Sequence, residues 1–336
     1  MPPPALVLTG IISVQLGAGL ATRLFSQAAP AAVTGLRLWS AAVVLAVLGG
    51  RGLVTAVRAI AARRAWRDAA VVVTFGLTLA VMNFSIYQSF ARIPLGVAVT
   101  IEFLGPLAVA VASSRRLIDL LWVTLAGAGV ALLARGGPPA ATVAGLPRAG
   151  TGLAWSGVAF ALVAAAAWAA YILLSAATGR RFSGSSGLVI AMGVAALAVT
   201  PAAVFAARGA LARPGILATG AAIGLLSSVV PYRFELEALR RIAAGVFGIW
   251  MSLEPAVAAL VGLVLLGQGL GAAEWAAVGC VMVACAGAAR GAAGRTAAAG
   301  EGAPARAGAT GPTAQGPVQR GAAPDAVPPV PPPPAG

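Results

Sequence analysis

Histidine and lysine are missing from this chain of 336 residues, cysteine occurs twice, and only nine residues are acidic. Without histidine, imidazole metal sites and histidine-based proton transfer are largely excluded. Cys280 and Cys285 lie five apart, so on a helix they face different sides and cannot share a metal ion; they read as small packing residues. No metal and no cofactor are expected. All 23 basic residues are arginine, which in so Ala- and Gly-rich a chain reflects codon composition rather than function. Charged residues make up 10% of the chain, against the ~25% usual in a soluble domain, so no soluble catalytic domain fits.

What is present is apolar. Hydrophobic residues form 60% of the chain and the mean hydropathy is +0.93. Several runs reach the ~18–20 residues that cross a bilayer as a helix. The sequence therefore predicts an all-α, polytopic membrane protein with ten transmembrane helices, at 5–25, 30–49, 69–89, 94–112, 118–134, 153–174, 187–206, 216–238, 245–266 and 273–289. Short connections make consecutive helices antiparallel. The opening "MPPPALVLTG" has no basic region and no small-residue cleavage site, and reads as a first span. The net charge of +14 would suggest nucleic acid in a soluble protein. Here the arginines sit mostly between spans, so no nucleic-acid partner is expected and membrane lipid is. With the N-terminus inside, the inner loops hold eleven arginines (Arg51, Arg58, Arg63, Arg64, Arg67, Arg115, Arg116, Arg180, Arg181, Arg240 and Arg241) and the outer loops six. That bias places both termini in the cytoplasm.

The chain also repeats itself. At an offset of 149, "NFSIYQSFARIPLGVAV" (83–99) lies over "YRFELEALRRIAAGVFG" (232–248), matching Arg92 with Arg241, Gly96 with Gly245 and, further on, Pro106 with Pro255. Five spans per half is an odd number, so the second half is inverted, the construction plan of many secondary transporters. The division is 1–134 for the first repeat, 135–152 for an extracytoplasmic linker, 153–290 for the second repeat, and 291–336 for an Ala/Gly/Pro-rich cytoplasmic tail expected to be disordered.

The segments "SVQLGAGLATRLF" (13–25), "VTGLRLWSA" (33–41), "PLGVAVTIEFLGPLAVAVASSRRLIDLLWV" (94–123), "WAAYIL" (168–173) and "LSSVVPYRFELEALRRI" with "FGIWMSLEPAVAALVGLVLLGQ" (226–268) resemble the EamA-type drug/metabolite transporter superfamily, in its threonine/homoserine exporter branch. The resemblance spans all ten helices and implies two EamA repeats in a bacterial inner membrane. It also implies export of small neutral amino acids by proton antiport. One departure is Gln268, where the family's ninth-span motif carries glutamate; another is Arg233, in place of a small or polar residue.

The candidate site begins with two carboxylates. Glu102 lies about 12 Å along a ~30 Å crossing, and Glu254 at similar depth in span nine. A charge there costs at least ~2.5 kcal/mol and faces the bundle interior or water. In the repeat register Glu254 falls on Gly105, nearly one turn from Glu102. Pro106, Pro255 and Pro231 lack the N–H that would bond the carbonyls of Glu102, Met251 and Ser227, and carbonyls freed at membrane depth need another donor. A substrate ammonium would supply three. Gln15, Asn83, Tyr87, Trp168 and Tyr171 complete the set, with ordinary packing the other reading for the aromatics. Arg37 is placed to pair with a carboxylate or to bind the substrate's own. Arg233 and Glu237 are expected to pair with each other, and Glu235 is an alternative gate or partner. Ala276, Cys280, Ala284 and Ala288 form a small-residue stripe for close helix packing or a homodimer face.

The expected mechanism alternates a proton and an amino-acid ammonium on Glu102 and Glu254. The alternatives are an EamA-type exporter of another metabolite (an aromatic amino acid, a drug or a nucleobase) and, outside transport, a membrane lipid enzyme or a scaffold using the tail.

Overall fold

The computed structural model describes residues 1–62, 66–114, 118–135, 154–182 and 186–301. Arg63, Arg64, Arg115, Arg116 and all of the linker but Arg135 lie outside them. Among the described residues the regular structure is helical: α1 (Pro3–Leu24), α2 (Pro30–Ala62), α3 (Trp66–Phe90), α4 (Leu95–Glu102), α5 (Leu104–Ala112), α6 (Ile118–Arg135), α7 (Trp155–Gly179), α8 (Ser186–Ala207), α9 (Pro214–Gly224), α10 (Val230–Leu239), α11 (Ala244–Met251), α12 (Glu254–Leu266) and α13 (Ala272–Glu301). The pairs α4–α5, α9–α10 and α11–α12 each make one crossing, so the helices amount to ten. Nine are long and apolar enough to span by themselves, and the tenth, α6, has a shorter apolar part, Ile118–Leu133.

Two helices run past the ends read from the sequence. α2 continues to Ala62 rather than stopping near residue 49, and α13 continues to Glu301 rather than leaving the helix at 290. In the added part of α13, "GAAGRTAAAGE", five of the eleven residues are alanine, the residue that favours helix most strongly. Low hydropathy ends a membrane span there without ending the helix.

The packing follows the repeat. α2 lies against α8 and α6 against α13, each helix touching its own counterpart in the other half. Likewise α3 packs on α7, while the corresponding pair in reverse, α10 and α1, also packs. The two halves are thus interleaved across a pseudo-twofold axis rather than set side by side. Small residues make the contacts close. Gly129 of α6 faces Cys280, Val281 and the carbonyl of Ala277, and Gly287 of α13 faces the Trp122 ring. The buried stripe on α13 is Ala277, Val281, Ala284 and Ala288, one position away from the expected stripe at its start. Ala276 is exposed, because the helical period of 3.6 residues drifts from a strict spacing of four.

The fourth and ninth crossings are both broken, and at the same register. α4 ends at Glu102 with Phe103 as its cap, and α11 ends at Met251 with Ser252 as its cap; the positions differ by the 149 residues of the repeat. In both crossings a proline follows the break three residues later, and its missing N–H prevents the regular ladder from continuing.

Candidate functional site

Glu254 opens α12 and is buried. Its Oε1 accepts a 2.9 Å hydrogen bond from Nε2 of Gln15, buried on α1. Two long polar side chains from crossings one and nine therefore meet in the apolar interior. Glu254 Oε2 and Gln15 Oε1 have no hydrogen-bond partner and are sealed from solvent. Orphaned buried oxygens of this kind are costly, and they mark a place built for a further donor. The symmetry-related pair is Gly105 of the first repeat and Ala164 of the second, and there the helices simply touch: a Cβ on Gly105 would collide with the carbonyl of Ala165. One of the two symmetry-related contacts between the halves holds a polar pair where the other holds close packing.

Glu102 is half-buried at the end of α4. Arg37 of α2 is the cation within electrostatic reach of it, and Glu102 is in turn within reach of Glu254. Arg37 donates from Nη2 to the carbonyl of Ser227 at 3.2 Å and its guanidinium lies 5.3 Å from the centre of the Tyr87 ring, a cation–π distance. Its Nε is buried and unpartnered.

That carbonyl is one of the three that proline was expected to free. Residues Leu225–Val229 form a π-helical turn before Pro231. Ser13 donates to the carbonyl of Leu226 at 2.8 Å and Arg37 to that of Ser227. At Pro231 the protein's own side chains thus take the role that the sequence assigned to a substrate ammonium. Glu102 and Met251 remain the carbonyls that Pro106 and Pro255 deprive of a partner.

Tyr87 is fully buried, with no partner on its hydroxyl, in edge contact with Phe25 and beside Phe90. It joins the Arg37 end of the site. Asn83, also buried, is turned back on its own helix, donating to the carbonyl of Leu79 at 2.8 Å; it offers little to a ligand as placed. Trp168 stands edge-on to Phe103, with ring centres 4.9 Å apart, and lines a cavity. Tyr171 packs on Phe75 at 5.3 Å and faces a separate chamber.

The cavity encloses about 430 Å³, between crossings four, six, eight, nine and ten. Phe103, Pro106, Trp168, Glu235, Phe247 and Met251 are among its walls. Neither Glu102 nor Glu254 lines it. The carboxylate that does is Glu235, which sequence reasoning left as an alternative, because "YRFELEALRR" reads as the charged end of a helix. Its proximity to Gly10 of α1 is the packing detail that no local pattern could reveal. The expected Arg233–Glu237 pair does not form. Glu237 instead bonds Arg241, four residues on, with Arg240 nearby at 3.8 Å, and Arg233 is exposed. An acid placed before a base at this spacing is the favoured order.

The opposite half of the bundle is shut. Leu95–Ile101 of α4 are all buried. Gly96 touches the backbone of Ala259, and Gly19 of α1 meets Val261 and Leu265 of α12. Arg23 donates to the carbonyl of Leu265 at 3.0 Å. Gln268 follows Gly267, whose φ of +66° ends α12, and its Oε1 accepts from the N–H of Leu95 at 2.9 Å. The departure from glutamate therefore keeps the acceptor that caps α4 while removing a charge.

Residues 155–290 match the EamA-like transporter family. The chain is 35% identical over 282 residues, 84% of its length and 89% of the relative's, to the threonine/homoserine exporter RhtA of Escherichia coli (strain K12). It is 36% identical over 285 residues to the protein of the same name from Salmonella typhimurium (strain LT2), with the same shares covered. The chain belongs to the EamA-like transporter family, in its threonine/homoserine exporter branch. A crystal structure of a protein 18% identical to the chain has a TM-score of 0.54, covering 87% of this chain and 98% of that one, a likeness of fold alone. EamA membership fits the ten helices in two repeats and makes the chain a membrane transporter.

Proposed function

We propose that this transporter exports threonine- or homoserine-like amino acids across a bacterial inner membrane in exchange for protons. The observation that carries the reading is the pair Glu102 and Glu254, held at the breaks of two symmetry-related helices inside the bundle. The relatives named as threonine/homoserine exporters supply the substrate class. With both termini cytoplasmic, the open cavity faces the cytoplasm and the shut half faces outward, an arrangement ready to load from within.

A carboxyl in a dry interior is held neutral by a proton or balanced by a cation. An amino acid entering from the cytoplasm brings an ammonium, which takes the proton's place. The unpartnered oxygens of Glu254 and Gln15 and the carbonyls left by Pro106 and Pro255 accept its N–H groups. Arg37, with its free Nε, suits the substrate carboxylate. Once the site faces outward, reprotonation releases the amino acid, and the protonated carrier returns.

Glu102→Gln keeps the shape but cannot exchange a proton. In liposomes, labelled threonine should cease to respond to an imposed pH gradient with this variant, and Glu254→Gln should act in the same direction. Wild-type rates and pH dependence in both would make the carboxylates structural. The cavity volume and its aromatic walls favour a second reading, a bulkier solute such as an aromatic amino acid. Phenylalanine in the same assay separates the two.

A further inference from the structure

Among the described residues Glu235 is the one charged group on the wall of the 430 Å³ cavity, beside Phe103, Trp168, Phe247 and aliphatic neighbours. Among the described residues no hydrogen bond or ion pair meets its carboxyl, although arginines 240 and 241 stand five and six positions along the chain and pair with Glu237. Beyond it lies a second, smaller chamber of about 170 Å³, with the hydroxyls of Tyr171, Ser175, Thr178 and Tyr232 along its walls. Glu235 is within electrostatic reach of Tyr171. Thr178 is buried, and its Oγ1 has no partner. One carboxyl thus stands near both an apolar chamber and a hydroxyl-lined one.

We propose that Glu235 receives the ammonium group of the solute inside the cavity, with the aromatic walls holding the solute's organic part. This rests on the reading of the chain as an amino-acid exporter, and it moves the first contact away from Glu102 and Glu254. A carboxylate accepts one or two charge-assisted hydrogen bonds from an ammonium, and the ammonium keeps a third N–H for another acceptor. The aromatic side chains of Trp168 and Phe247 on the same wall suit the apolar chain behind the cation. Among the described residues nothing basic lines the cavity, so an anion without an ammonium finds no partner in them. Gly10 leaves space beside Glu235: a Cβ there would lie 3.6 Å from Glu235 Cγ.

The purified full chain in detergent, titrated with L-threonine, with isopentylamine as an ammonium lacking a carboxylate, and with isopentanol as a neutral control, tests this through the ligand-induced rise in melting temperature. The two ammonium compounds should stabilise the wild type and the alcohol should not. Glu235→Gln should weaken both apparent affinities roughly ten- to a hundredfold, whereas Glu237→Gln, on the surface, should leave them unchanged. Should Glu235→Gln fail to fold, Glu235→Asp carries the test through a severalfold loss. Binding by Glu235→Gln or Glu235→Asp at wild-type affinity, or no response of the wild type to either ammonium compound, overturns the proposal. Amine binding that depends on Glu235, in a protein that transports no amino acid, overturns the exporter reading and leaves this one standing.

Discussion

Gln15 shows how a single side chain can carry a site. An amide in the first helix donates to a carboxyl 239 residues away, and each leaves one oxygen unsatisfied. Replacing it by leucine removes a hydrogen bond of the kind worth roughly 0.6–2 kcal/mol inside membrane bundles, and leaves Glu254 without its partner from α1. The expected result for Gln15→Leu is a lower melting temperature in detergent, with threonine flux falling together with that of Glu254→Gln and no further loss in the double variant. Additive losses would mean that the two residues act apart. Glu102, Glu254 and Gln15 were individually legible because polar groups stand out in apolar runs. Their partnership was not, since it depends on which helices touch. Asn83 stood out equally and proved to bond its own backbone.

At the scale of elements, the prolines foretold the breaks but not what fills them. Pro106 and Pro255 mark interruptions at one register, whereas Pro231 follows a π-helical turn whose carbonyls are taken by Ser13 and Arg37. A donor arriving from another helix leaves no trace in the local sequence. The contact of α4 with α12 is set by glycine. A Cβ on Gly96 would come within 2.7 Å of the Ala259 Cα, backbone that cannot swing aside. Gly96→Val should therefore hold the shut half ajar. The expected outcome is at least a tenfold loss of transport in liposomes, with a cysteine placed at Ala259 becoming reactive to a membrane-impermeant thiol reagent from the outer side. Full activity would mean that this contact is not part of the seal.

At the scale of the molecule, ten crossings and an internal repeat were readable from hydropathy and from a few aligned arginines, glycines and prolines. The interleaving of the halves was not, because apolar faces reveal burial but not their partner. It also leaves the two repeats unlike in shape: α4 is buried from Leu95 to Ile101, while its counterpart α11 gives Phe247, Gly248 and Met251 to the cavity. Two copies of one design held in different shapes can trade them. After such a trade α11 would be sealed and α4 uncovered, with Ala98, Val99 and Glu102 standing where Phe247, Gly248 and Met251 stand now. Ser252 and Pro255 would take the places of Phe103 and Pro106. The outward chamber would then contain Glu102 and not Glu235, so the solute would meet one carboxylate on entering and another on leaving. In a protein with Cys280 and Cys285 replaced by alanine, Phe247→Cys should be labelled from the cytoplasmic side and Ala98→Cys from the outer side, the one rate rising as the other falls. Unbroken silence at position 98 in a protein that still transports would mean that the repeats keep their shapes.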